Sequence, residues 1–96
     1  MTKHFSAAGL AAALAIAPMT LSAHAVLADA IADTQAGVVA LENGDVTGAM
    51  RLFTQAIDSN ELSRNNLAGV FTNRGYAYLS VKDYANALRD FSDAIL

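Results

Sequence analysis

The stretch Phe71-Thr72-Asn73-Arg74-Gly75-Tyr76-Ala77-Tyr78, followed after Val81-Lys82 by Asp83-Tyr84-Ala85-Asn86-Ala87-Leu88-Arg89-Asp90-Phe91-Ser92-Asp93-Ala94-Ile95, decides how this chain reads. Apolar residues recur three and four apart on both sides of the break. Leu67, Val70, Phe71, Tyr78 and Leu79 lie before it, and Tyr84, Ala87, Leu88, Phe91, Ala94 and Ile95 after it. That spacing places each set on one face of a helix. Ser63 stands where the first helix needs an N-cap, and Asp83 where the second does. The stretch predicts a helical hairpin.

The same hairpin occurs twice. Laid on itself so that Gly37 meets Gly75, the sequence also pairs Leu41 with Leu79, Asp45 with Asp83 and Ala49 with Ala87. Arg51 with Arg89, Phe53 with Phe91, Ala56 with Ala94 and Ile57 with Ile95 make eight identities in 22 aligned positions, well above chance. In the first copy Glu42-Asn43-Gly44-Asp45 is the turn, with Gly44 able to end one helix and Asp45 to begin the next. The Ser- and Asn-rich stretch 59–67 links the two copies. An internal repeat of this kind announces an array of helical units.

The run Phe71 to Tyr78, with Asp83-Tyr84, Ala87, Phe91 and Ala94, resembles the tetratricopeptide repeat. That pattern places an aromatic, a small residue and a tyrosine on the first helix, and alanine, aromatic, alanine on the second. The resemblance covers about 30–96 and implies an all-α chain of two tetratricopeptide-like hairpins (30–58 and 68–96), a fragment of an α-solenoid. Gly75 and Ala87 would let the paired helices approach closely, with Phe91 and Tyr78 filling the space around the contact. The sequence departs from the pattern at Asp33 and Ala40, where aromatics are usual, and at Arg74, where an apolar residue is. By the same resemblance a concave groove on the first helices would bind a protein or peptide through Gln35, Val38, Thr72, Asn73 and Tyr76. Asn73 matches a residue of the clamp that some members use for a terminal carboxylate, but Thr34 and Val38 occupy two further clamp positions, which argues against a clamp here.

Ahead of the repeats, residues 1–25 have the parts of a secretory signal: Lys3 near the start, an apolar run over about 5–17, then Pro18 and the small-x-small site Ala23-His24-Ala25. Ala28-Asp29-Ala30 offers a second cut. The clean apolar run falls short of the roughly 20 residues a membrane span needs. An uncleaved anchor and an intracellular helix are the alternatives. The expectation is an extracytoplasmic protein, periplasmic or secreted, that meets the membrane only through its signal.

The composition bounds the chemistry. Ninety-six residues with a net charge of -3 and no basic block leave no surface suited to nucleic acid. Cysteine is absent, and the two histidines, His4 and His24, both precede the first expected cut. The repeats would then hold neither of the residues most used as base, nucleophile or soft metal ligand. The expectation is a non-enzyme with no cofactor and no metal. The pairs Asp29/Asp33 and Asp90/Asp93 read as solvated helix faces, with Arg89 and Asp93 placed to form a surface ion pair.

Three functions stay open: a scaffold or adaptor for a protein or peptide, a self-associating structural module, or a regulatory repeat fragment of a larger exported protein. Tyr84, Leu88, Phe91 and Ile95 form a stripe too wide for one neighbouring helix to cover, so a homo-oligomer through the last helix is also expected.

Overall fold

The computed structural model describes residues 22–96. Over that span the chain forms α1 (Ala23–Glu42), α2 (Val46–Asp58), α3 (Arg64–Ser80) and α4 (Tyr84–Ile95). Each helix starts on a side chain that accepts from its first turn. Ser22 takes the Ala25 amide, Asp45 that of Gly48, Ser63 that of Asn66 and Asp83 that of Asn86. One otherwise unpaired N–H is satisfied in every case.

The two hairpin turns are closed by matching bonds at repeat-equivalent positions. In the first, the Gly44 N–H donates to the Leu41 carbonyl and the Asp45 N–H to that of Ala40. In the second, Lys82 donates to Leu79 and Asp83 to Tyr78. Such a closure requires a left-handed residue just past the helix. Gly44 supplies it at φ 81°, Lys82 at φ 63°. Only the second turn therefore carries the strain of a Cβ in that region.

Within each hairpin the helices run close together, α1 on α2 and α3 on α4. Glycine makes this possible. A Cβ on Gly37 would fall 2.5 Å from the Phe53 ring, and one on Gly75 would fall 2.6 Å from the Phe91 ring. The close approach expected at Gly75 is thus present, and Ala87 is buried beside it. The main core forms where α3 joins the first hairpin. Ala49, Phe53, Ala56 and Val70 cluster there, with Val38, Leu41, Ile57 and Leu62 packed around them. Burying Phe53 and Val70 contributes about 1.5–3 kcal/mol each.

Two expectations are corrected here. The described helices form an all-α four-helix bundle that closes into a globule, not an extended tetratricopeptide α-solenoid. A solenoid sets the first helices of successive hairpins side by side along a concave surface. Here α1 and α3 barely meet, and the two hairpins join through a thinner seam between α2 and α3. The secretory signal is the second. Its residues 1–21 lie outside the described residues. Its described end is not an accessible extended stretch of the kind a peptidase cuts: Ser22 caps α1, and Ala23-His24-Ala25 is the first helical turn. This arrangement gives the secretory-signal reading no support. Among the described residues no helix is long and apolar enough to cross a membrane.

Candidate functional site

Of the five residues expected to line a groove, the fold brings two together. A cleft of about 300 Å³ between α1 and α3 has Ile31, Gln35, Asn66, Val70 and Asn73 on its walls. Val38 packs instead against the core cluster. The Thr72 hydroxyl donates to the Ala68 carbonyl at 2.9 Å, its own helix one turn back. Tyr76 stands edge-on to Phe91 with ring centroids 5.3 Å apart. Gln35 and Asn73 alone of the five therefore share this short cleft between α1 and α3. With no concave array of first helices behind it, the scaffold or adaptor reading loses its structural basis.

The polar centre of the second hairpin is a pair that the sequence reading misses. Asp90 is expected on a solvated face with Asp93, yet its side chain is only 2% exposed. Both of its oxygens accept from Arg74, Oδ2 from Nε at 2.7 Å and Oδ1 from Nη2 at 2.9 Å. Arg74 Nη1 reaches on to the Thr54 hydroxyl at 3.1 Å, so one guanidinium joins α2, α3 and α4. The rings of Phe71 and Tyr78 flank it, with centroids 5.6 and 5.9 Å from the guanidinium carbon. Hydrogen bonding to Asp90 raises the Arg74 pKa above its ordinary value, against the opposing effect of burial.

A signal for the pair does exist in the sequence. Asp90 falls on the apolar face of α4, three residues after Ala87, and Arg74 stands at an apolar position of α3. Two opposite charges inside two facing apolar stripes call for each other, because a buried charge is tolerated only when paired. The expected Arg89–Asp93 ion pair does not form; among the described residues Arg74–Asp90 is the salt bridge. Nor is any group of three or more His, Cys, Asp or Glu placed among those residues to hold a metal ion.

Among the described residues α4 carries more exposed large apolar side chains than any other helix. Tyr84, Leu88 and Ile95 are 63%, 67% and 85% exposed. Their counterparts in the first repeat, Val46, Met50 and Ile57 on α2, are all half-buried. Phe53 is wholly buried, while Phe91, seated on the equivalent glycine, is only partly so. The two hairpins thus differ in one respect above others: among the described residues α2 has a third helix against it and α4 does not.

No protein-family model matches the chain, so the tetratricopeptide resemblance has no family match behind it, and no curated protein matches it either.

Proposed function

We propose that this chain is a non-catalytic structural module that associates with copies of itself through the exposed face of α4. The observation that carries the reading is the contrast between repeat-equivalent helices. The face that α2 half-buries within the chain is presented to solvent by α4, with the larger Tyr84 where α2 has Val46. An exposed patch of this kind marks an interaction surface in a folded protein.

The energetics suit a weak, reversible contact. Covering Tyr84, Leu88 and Ile95 at their present exposure contributes about 1.5–2 kcal/mol each. With a similar contribution from the opposing face, the gross gain is on the order of 10 kcal/mol. Lost translational and rotational freedom offsets at least ~4 kcal/mol of this. The surplus is then at most about 6 kcal/mol, which corresponds to a dissociation constant of tens of micromolar or weaker. A non-catalytic role is supported by the use made of the buried carboxylate. Asp90, the buried carboxylate among the described residues, is charge-paired with Arg74 and links helices of the bundle rather than facing solvent.

Sedimentation velocity of the full chain, from low micromolar to millimolar concentration, tests the proposal. The mass should rise with concentration, and Leu88→Glu plus Ile95→Glu should hold the chain monomeric with an unchanged helical spectrum. A parent that stays monomeric throughout would overturn the reading. So would a double variant that associates as the parent does, since another segment would then be responsible.

A further inference from the structure

We infer that Asn43 is a deamidation site, and that the turn of the first hairpin sets the rate at which it reacts. The turn from α1 to α2 reads Glu42-Asn43-Gly44-Asp45. Of the six asparagines in the sequence, Asn43 alone is followed by glycine; the others precede Glu61, Asn66, Leu67, Arg74 and Ala87. That neighbour matters because the attacking atom is the backbone nitrogen of the next residue. A side chain there crowds the approach, and glycine has none. Asn43 and Gly44 are both exposed, and a Cβ on Gly44 would meet nothing within 4 Å. Water and base therefore reach the peptide between them.

The reaction needs no partner but water. Solvent base takes the proton from the Gly44 nitrogen, which attacks Cγ of the Asn43 carboxamide. The N–Cγ bond forms as the Cγ–Nδ2 bond breaks, and the amide leaves as ammonia, protonated by water. A five-membered imide remains. Water then adds to one of its two carbonyls. Opening at Cγ leaves aspartate with the main chain intact, and opening at the main-chain carbonyl reroutes the chain through Cγ as isoaspartate. Ammonia is exchanged for water, and nothing is oxidised or reduced.

The folded turn opposes the first step twice. The Gly44 N–H, whose proton must be lost, donates to the Leu41 carbonyl at 3.0 Å. Asn43 sits at φ -86°, ψ 3°. At that ψ the Gly44 nitrogen eclipses the backbone nitrogen of Asn43, whereas the ring needs it on the Cβ side. The bond from the Asp45 N–H to Ala40, at 2.8 Å, resists the rotation that would bring it there. Attack therefore waits on local opening of the turn. The second turn makes the same two bonds, but Val81 and Lys82 stand where Asn43 and Gly44 do, so it lacks this chemistry. The repeat sets one reactive turn and one inert turn in the same chain.

The products loosen the hairpin. Isoaspartate adds a methylene to the main chain inside the loop that the two bonds close, so the same closure is not re-made. Either product also sets a carboxylate at the C-terminal end of α1, where the helix dipole disfavours it and no basic residue lies in the last turn.

Ageing the full chain near neutral pH, folded in buffer and unfolded in urea, tests the inference by peptide mapping and mass spectrometry. In both states conversion should occur first at Asn43, with isoaspartate among the products. The folded chain should convert about tenfold or more slowly than the unfolded one, since opening breaks two backbone hydrogen bonds. The slowing should be at least as large as that of hydrogen exchange at the Gly44 amide, because exchange needs the bond broken but not the rotation. Equal rates in the two states, or a slowing smaller than that of exchange, would overturn control by the turn. Earlier conversion at another asparagine would overturn the site. The isoaspartyl fraction, separated by ion exchange, should melt below the parent and below Asn43→Asp, which adds the charge alone. An isoaspartyl chain as stable as the parent would refute the loosening.

Discussion

Replacing Arg74 by Ala removes both hydrogen bonds of a carboxylate whose side chain is 2% exposed. Among the described residues nothing else bonds to the Asp90 oxygens, so the charge is left without compensation inside the bundle. Breaking one side of a buried pair costs about 3–5 kcal/mol. The described fold is about 75 residues long, and at ~0.05–0.15 kcal/mol per residue its whole stability is about 4–11 kcal/mol. The single change should therefore remove between about a quarter and all of the stability.

The first hairpin provides the control, because the positions matching Arg74 and Asp90 hold Ala36 and Leu52. Arg74→Ala combined with Asp90→Leu copies that apolar solution. Replacing a buried pair by apolar residues is often neutral or better. Against this stand the lost Thr54 hydrogen bond, ~0.5–1.5 kcal/mol, and the lost ring contacts, ~0.5–1 kcal/mol each. The double variant should lie within about 2 kcal/mol of the parent and above Arg74→Ala alone. Urea melts at pH 7 followed by far-ultraviolet circular dichroism measure both. The Arg74 pKa is raised, so its contribution is complete below the ordinary arginine range and is lost only as pH rises through the elevated value. The guanidinium stays charged at pH 7. A double variant no more stable than Arg74→Ala would refute the reasoning, since the fork would then be worth more than the cost of burying it.

Three glycines should respond in a fixed order to alanine. Gly37→Ala should cost about 1–2 kcal/mol net, because Phe53 is fully buried and has nowhere to move. Gly75→Ala should cost less, since Phe91 can shift outward. Gly69→Ala meets nothing within 4 Å and should stabilise α3 by about 0.5–1 kcal/mol; thermal melts giving any other order would contradict the packing described. Lys82→Gly should stabilise by up to about 1 kcal/mol by relieving the positive φ, net of added chain entropy. A loss of stability on that change would mean that the Lys82 side chain contributes a contact of its own.

Local structure is the most legible part of this sequence, because it depends on residues close together in the chain. Asp45, Ser63 and Asp83 cap helices within three residues of themselves. The Gly75–Phe91 contact spans only one turn between paired helices, and a repeat of the same pair at Gly37 and Phe53 makes it readable twice. The candidate groove is less legible. Gln35 and Asn73 share a cleft only because of how α1 and α3 sit across α2, and no periodicity within a single helix reports that placement.

The solenoid reading fails for a related physical reason. The residues that carry the resemblance, Gly75, Tyr78, Ala87, Phe91 and Ala94, specify how two helices of one hairpin approach each other. Any antiparallel pair at that separation would select small residues facing an aromatic ring. How one hairpin meets the next depends on other positions, chiefly Val70, Arg74 and Thr54, and at Arg74 the chain departs from the pattern. Arg74 does not extend an apolar seam. It turns inward to Asp90 and reaches sideways to Thr54, tying the second hairpin to the first through one charged group. The departure at Arg74 is visible in the sequence, and its partner stands on the apolar face of the following helix. Taken together, rather than as separate anomalies, the two charges specify a single polar link between the hairpins and not a repeating stack.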